Sequence, residues 1–164
     1  MIDIDAHPTL GEAFLAAATA WPDRPCLAVP ANPARAYDPH GRELTYAQAA
    51  AEVRALADAY REAGYGVGHF VGLLLENRLE AVLHRLAMNT LGACCVPLNP
   101  DHRPAEMAYV IGHARLDLVV VVDALAPLLE RAIDAADHRP PVVRLADASR
   151  DLPPAARRAT TTRP

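Results

Sequence analysis

Few residues in this chain combine the type and the spacing that chemistry needs. Gly64-Tyr-Gly-Val-Gly68 is the nearest approach to a phosphate-cradling loop. Such a loop follows a strand and opens a helix, so that backbone N–H groups at the helix N-terminus face the phosphate. These glycines follow a helical pattern and precede a strand, so they read as a helix stop and a turn. The seven histidines are His7, His40, His69, His84, His102, His113 and His138. No two have the tight spacing of zinc ligands. His84 stands four residues after Glu80 and off the leucine stripe of its helix, the spacing of a solvated helix-face pair. Asp3 and Asp5 fall in a terminus expected to fray and give no acid–base pair. Asn77, Asn99 and Asp123 each follow an expected strand, at the carboxyl ends where open α/β sheets bind ligands. Capping accounts equally well for Asn77 and Asp123, and a turn before Pro100 for Asn99. The structural reading is preferred for all three, and the sequence assigns no catalytic, cofactor-binding or metal-binding residue.

Missing residue types narrow the chemistry further. All 16 basic residues are arginine and lysine is absent, so no step that needs a lysine ammonium can be completed here. Ser149 is the only serine and lies in a polar stretch, which argues against a serine nucleophile. Cys26, Cys94 and Cys95 are odd in number, and two are adjacent in an apolar strand, so no disulfide framework is expected. Both adjacent thiols can be buried as small apolar groups in a sheet covered on both sides. The net charge of −4 and pI near 5.9 offer no basic patch to nucleic acid, leaving small molecules or protein surfaces as partners. The start, Met1 to Pro8, lacks a basic region and a long apolar run, so no signal peptide is read there. Apolar runs fall short of the ~20 residues of a membrane span. A reducing, cytoplasmic setting is the expectation.

The elements that would position any site alternate. Thr9 and Glu12 have capping-box spacing ahead of a helix carrying Leu10, Phe14, Ala17 and Trp21, stopped by Pro22. Short strands are expected at 26–29 and around Leu44, flanking a proline-bearing loop from Pro30 to Gly41. Thr45 and Gln48 cap a second helix with an inward stripe of Tyr46, Ala49, Val53, Leu56, Ala57 and Tyr60, ended by Gly64. Phe70 to Leu75 is apolar on both faces, as in a central parallel strand. Asn77 is placed to cap the next helix, with Leu79, Val82, Leu83 and Leu86 inward and Gly92 as its end. A strand at 93–98, a helix opened by Pro104, a strand at 116–122, a helix capped by Asp123 and a strand at 142–145 follow. This order predicts a three-layer α/β fold with a mostly parallel sheet over residues 1–146. Residues 147–164 read as a polar, disordered linker or tail.

One block carries a resemblance. Leu44-Thr-Tyr-Ala-Gln-Ala49 resembles the first core motif of the adenylate-forming (AMP-binding) superfamily, and Asn89-Thr-Leu-Gly-Ala-Cys-Cys-Val-Pro-Leu-Asn99 resembles the second. Between them, Gly68-His-Phe-Val-Gly-Leu-Leu-Leu-Glu-Asn77 and then Glu80 are similar to the family's linking stretch. The Pro104 to Ile111 helix and the helix from Thr9 to Trp21 also match. The likeness covers about Thr9 to Val122, and the Pro-Leu-Asn-Pro ending leans toward acyl-CoA synthetases. His69 replaces the family's usual aspartate at what reads as a surface turn. Asp101 stands where a basic residue is common, with Arg103 as the nearby substitute. The resemblance implies the N-terminal α/β subdomain of an ATP-dependent acyl-CoA ligase of fatty or aryl acids, which forms an acyl-adenylate and then a thioester. ATP, Mg²⁺ and CoA are implied for the full-length enzyme. The glycine-rich phosphate loop ending in Pro-Lys-Gly, the ribose aspartate, the Mg²⁺-binding glutamate and the catalytic lysine are expected further on. The chain alone is then expected to be inactive, with the remainder of the ligase as its partner and self-association through an exposed apolar face. Two alternatives remain open: a non-catalytic α/β module that binds a protein, and a flavodoxin- or receiver-like domain. The latter is disfavoured by the missing loop after the first strand and by the missing lysine.

Overall fold

The computed structural model describes residues 9–156. Helix α1 spans Leu10–Ala20, with Thr9 Oγ1 accepting from the Glu12 N–H at 3.1 Å. Strands β1 (Pro25–Val29) and β2 (Arg42–Thr45) pair antiparallel. Helix α2 (Tyr46–Glu62) opens on the reciprocal Thr45–Gln48 box. The alternating part follows: β3 (Phe70–Leu74), α3 (Leu79–Leu91), β4 (Cys94–Pro97), α4 (Pro104–Ala114), β5 (Leu118–Val121), a 3₁₀ turn at Asp123–Leu125, α5 (Ala126–Ala135) and β6 (Val142–Arg144).

The four later strands form one all-parallel sheet in the order β4-β3-β5-β6. Side chains alternate across it. Val71, Leu73, Leu118 and Val120 face α1, α2 and α3; Leu74, Val119 and Val121 face α4 and α5. The expected three-layer α/β architecture is therefore observed. Gly72, in the middle of β3, is needed for packing. A Cβ there would stand 2.8 Å from Leu116 Cδ1 and 3.2 Å from Val119 Cγ2. Gly92 ends α3 at φ +69°, a left-handed backbone that glycine adopts without strain.

Several expectations are corrected. Asn77 does not cap α3: the N-cap is Arg78, without a side-chain cap bond, and the Asn77 carbonyl accepts from the Tyr37 hydroxyl at 2.9 Å. Asp123 opens a 3₁₀ turn and caps nothing with its side chain. Leu10 is 62% exposed because α1 buries Gly11, Phe14, Ala17 and Ala18 instead. Gly11 lets α1 approach α3, its N–H donating to Asn89 Oδ1 at 2.6 Å. Cys94 is exposed, since β4 is an edge strand and only the Cys95 side is partly covered. His69 is buried rather than on a surface turn; its Nε2 bonds the Ala156 carbonyl at 3.0 Å.

Residues 147–156 form no helix or strand but pack on the body. Ala148 is fully buried, the Ala155 N–H donates to the Ala63 carbonyl, and the Tyr65 hydroxyl donates to the Pro153 carbonyl.

Candidate functional site at the sheet's carboxyl edge

The topology itself marks one place. From β3 the chain leaves on the α3 face, whereas from neighbouring β5 it leaves on the α5 face. Connections that part in this way open a crevice beyond the carboxyl ends of the two strands, where doubly wound sheets bind ligands. A cleft of about 580 Å³ lies there, lined by residues following β3, β5 and β6 and by α2 and α3.

Most of its charges are paired with one another. Arg42, on β2, bonds Glu52 of α2 at 2.6 Å and Glu80 of α3 at 3.1 Å. Arg78 bonds the other Glu80 oxygen at 3.0 Å and lies 4.5 Å over the Tyr37 ring. Arg144 lies 3.6 Å from Asp123 and 3.7 Å from Glu130. The network ties the β1–β2 hairpin and its long loop to α2 and α3. It leaves the Arg42 and Arg78 guanidiniums committed to carboxylates rather than presented to a phosphate.

Beneath the rim sits the group that the sequence reading misplaced. His84 is not in a solvated pair with Glu80. It is 2% exposed and its Nδ1 lies 2.8 Å from the Tyr60 hydroxyl, itself fully buried. Burial holds the imidazole down at about 4, against a smaller opposing pull from Glu80. Burial likewise pushes the Tyr60 phenol up, aided by Cys95 and Tyr65. The ring is thus neutral at neutral pH. Tyr60 has no other hydrogen-bond partner among the described residues, so its O–H is best used as donor to Nδ1, which places the imidazole proton on Nε2.

Asn77, Asn99 and Asp123 all lie past the ends of β3, β4 and β5, as read from the sequence. Only Asp123 lines the crevice. Asn99 Oδ1 accepts from the Asp101 N–H at 3.0 Å, the turn role expected of it. Gly64 stands directly after the α2 cap at φ +92° and opens no helix. Among the described residues no cluster of three or more His, Cys, Asp or Glu could hold a metal ion. No helix among them is long and apolar enough to cross a membrane. His7, Asp3 and Asp5 fall outside the described residues. His84 was missed because nothing in its own spacing distinguishes it. The only available signal was Tyr60, which lies in the buried stripe of α2 and needs a polar partner.

Residues 14–162 match the family described as AMP-binding enzyme. The chain belongs to the AMP-binding enzyme family. Among curated relatives, the 4-coumarate–CoA ligase 2 of Oryza sativa subsp. japonica is 35% identical over 106 residues, 65% of this chain and 17% of that protein. The naringenin synthase of Pestalotiopsis fici is 36% identical over 83 residues, 51% of this chain and 3% of that protein. The tyrocidine synthase 2 of Brevibacillus parabrevis is 32% identical over 84 residues, 51% of this chain and 2% of that protein. The chain therefore spans under a fifth of the length of these relatives. The anthranilate CoA ligase AuaEII, solved with anthranoyl-AMP, superposes with a TM-score of 0.74 at 22% identity, over 96% of this chain and 30% of that one. The N-terminal domain of FACL13 from Mycobacterium tuberculosis gives 0.73 at 23%, over 93% and 38%. In fold and size the chain corresponds to the N-terminal portion of an AMP-binding ligase.

Proposed function

We propose that this polypeptide is the scaffold portion of an ATP-dependent acid–CoA ligase, and that the groups acting on ATP, Mg²⁺ and CoA lie in the remainder of the enzyme. In the whole ligase a carboxylate would attack the α-phosphate of ATP, and the CoA thiol would then displace AMP from the acyl-adenylate. A cytoplasmic fatty- or aryl-acid enzyme fits this reading. Positioning and charge stabilisation dominate such reactions. One observation carries the scaffold role: at the crevice where a sheet of this topology binds its ligand, Arg42 and Arg78 are already engaged by Glu52 and Glu80. A triphosphate would have to break those pairs to reach either cation. The Pro97-Leu-Asn-Pro100 ending and the similarity to a 4-coumarate–CoA ligase favour CoA as acyl acceptor over a carrier protein.

The test is carboxylate-dependent ATP–pyrophosphate exchange by the purified 164-residue chain, across aliphatic and aromatic acids. Background rates are expected. Exchange that scales with the chain's concentration would place reactive groups within it and overturn the scaffold reading. The DNA beyond codon 164, searched in every frame for a glycine-rich loop ending in Pro-Lys-Gly, tests the ligase assignment independently.

A further inference from the structure

The crevice has a feature that scaffolding does not explain. His84 lines it while being 2% exposed, and its Nδ1 is turned inward to Tyr60. With Nδ1 committed to Tyr60, the ring nitrogen left for a ligand to meet is Nε2. That nitrogen bonds no described residue, and it is not among the fully enclosed side-chain atoms without partners, which among the described residues are Asp38 Oδ2, His102 Nδ1 and Arg144 Nη1. It is the ring's one uncommitted donor among the described residues.

The surroundings define what could accept from it. Leu56, Leu83, Val122 and Leu145 supply apolar wall. Arg42 and Arg78 are paired with Glu52 and Glu80, and the carboxylates of Glu52, Glu80 and Asp123 on the wall would repel an anion. The cleft volume of about 580 Å³ lies within the roughly 300–1,000 Å³ of small-molecule sites.

We propose that the switch-point crevice is a binding site for an uncharged small molecule with an apolar body and one carbonyl-type oxygen, which accepts a hydrogen bond from His84 Nε2. The site stands on this chain's own residues and does not depend on the ligase reading. A ligand there bridges α2, α3 and the segment after β6, and so would stiffen the carboxyl edge of the sheet.

The experiment uses the whole chain and defined probes: acetophenone as the uncharged acceptor, ethylbenzene as its isostere without the oxygen, and benzoate as the anion. Binding is followed through the imidazole nitrogens of His84 and the methyls of Leu56, Leu83 and Leu145 by NMR. Acetophenone is expected to saturate in the millimolar range or below, about fivefold tighter than ethylbenzene, a ratio typical of one hydrogen bond. Benzoate is expected to bind more weakly than either. Ala55 is exposed on the crevice lip, so Ala55→Trp should fill the cleft and abolish the shifts without changing the melting temperature. In His84→Phe the preference for acetophenone over ethylbenzene should vanish. Should that variant fail to fold, Ala55→Trp still decides. Shifts that persist in Ala55→Trp, equal affinities for acetophenone and ethylbenzene, or no saturation at all would overturn the proposal.

Discussion

Acidification should destabilise this protein through one imidazole. The His84 ring is held at about 4, below its ordinary 6.5, chiefly by burial. Above pH 6.5 the ring is neutral in both the folded and the unfolded chain and its burial carries no titration penalty. As pH falls below 6.5 the unfolded chain takes up the proton, while the folded ring resists it until about pH 4. Stability is therefore lost across that window and the loss is complete below it. The gap between the two values, at about 1.4 kcal/mol per pH unit, amounts to roughly 3 kcal/mol, of which about 2 kcal/mol is gone by about pH 5. Against a total of about 5–15 kcal/mol for a domain, that is a large fraction.

Other groups titrate in the same range, so a simple acid melt would not isolate the ring. The informative measurement is a difference. Urea unfolding of wild type and His84→Gln is followed by far-ultraviolet circular dichroism from about pH 7.5 to about pH 4.5. Carboxylate contributions, apart from the smaller coupling of Glu80 to the ring, are common to both proteins and cancel. Near neutrality His84→Gln should be the less stable, since it disturbs the buried bond to Tyr60. The gap should narrow by about 2 kcal/mol on going to about pH 5. A difference that stays flat with pH would mean that the ring titrates normally, and the reasoning from burial would be refuted.

Three further outcomes follow from local geometry. Thr45→Ala removes the acceptor for the Gln48 N–H at the start of α2 and should cost about 1 kcal/mol in the same urea assay. Gly72→Ala forces a methyl against Leu116 and Val119 from the centre of the sheet and should cost roughly 1–3 kcal/mol, with a lower melting temperature. Exposed Cys94 should give one fast phase with an aromatic disulfide reagent, absent in Cys94→Ala, while Cys26 and Cys95, whose thiols burial pushes up, react slowly.

The alternation of capped helices and apolar runs was enough to read the sheet, because each signal is local. Thr45 and Gln48 lie three residues apart and close their box with no help from the rest of the chain. Phe70 to Leu75 announces burial on both faces by composition alone. The position of a strand within the sheet is not local. Cys94-Cys95 looks as central as β3 in sequence, and only the order β4-β3-β5-β6 makes it an edge with one thiol in solvent. The same applies to Asn77: the capping signature is sound, but the bond from Tyr37, forty residues earlier, belongs to how the loop folds back.

The misplacing of His84 shows where single-helix periodicity fails. Reading an inward face from Leu79, Val82, Leu83 and Leu86 assumes that α3 rests on one surface. It rests on three: β3 and its neighbours below, α2 on one flank and α1 on the other. The buried arc therefore widens to include His84, Ala87 and Met88. A residue outside the leucine stripe then has no water to face, and a polar one must find a partner. It finds Tyr60 from the equally wide buried face of α2, and the residue is left on the wall of the crevice between α2 and α3. The fold thus creates its candidate site at the point where a local reading of the sequence goes wrong, because both have one cause: helices packed against each other as well as against the sheet.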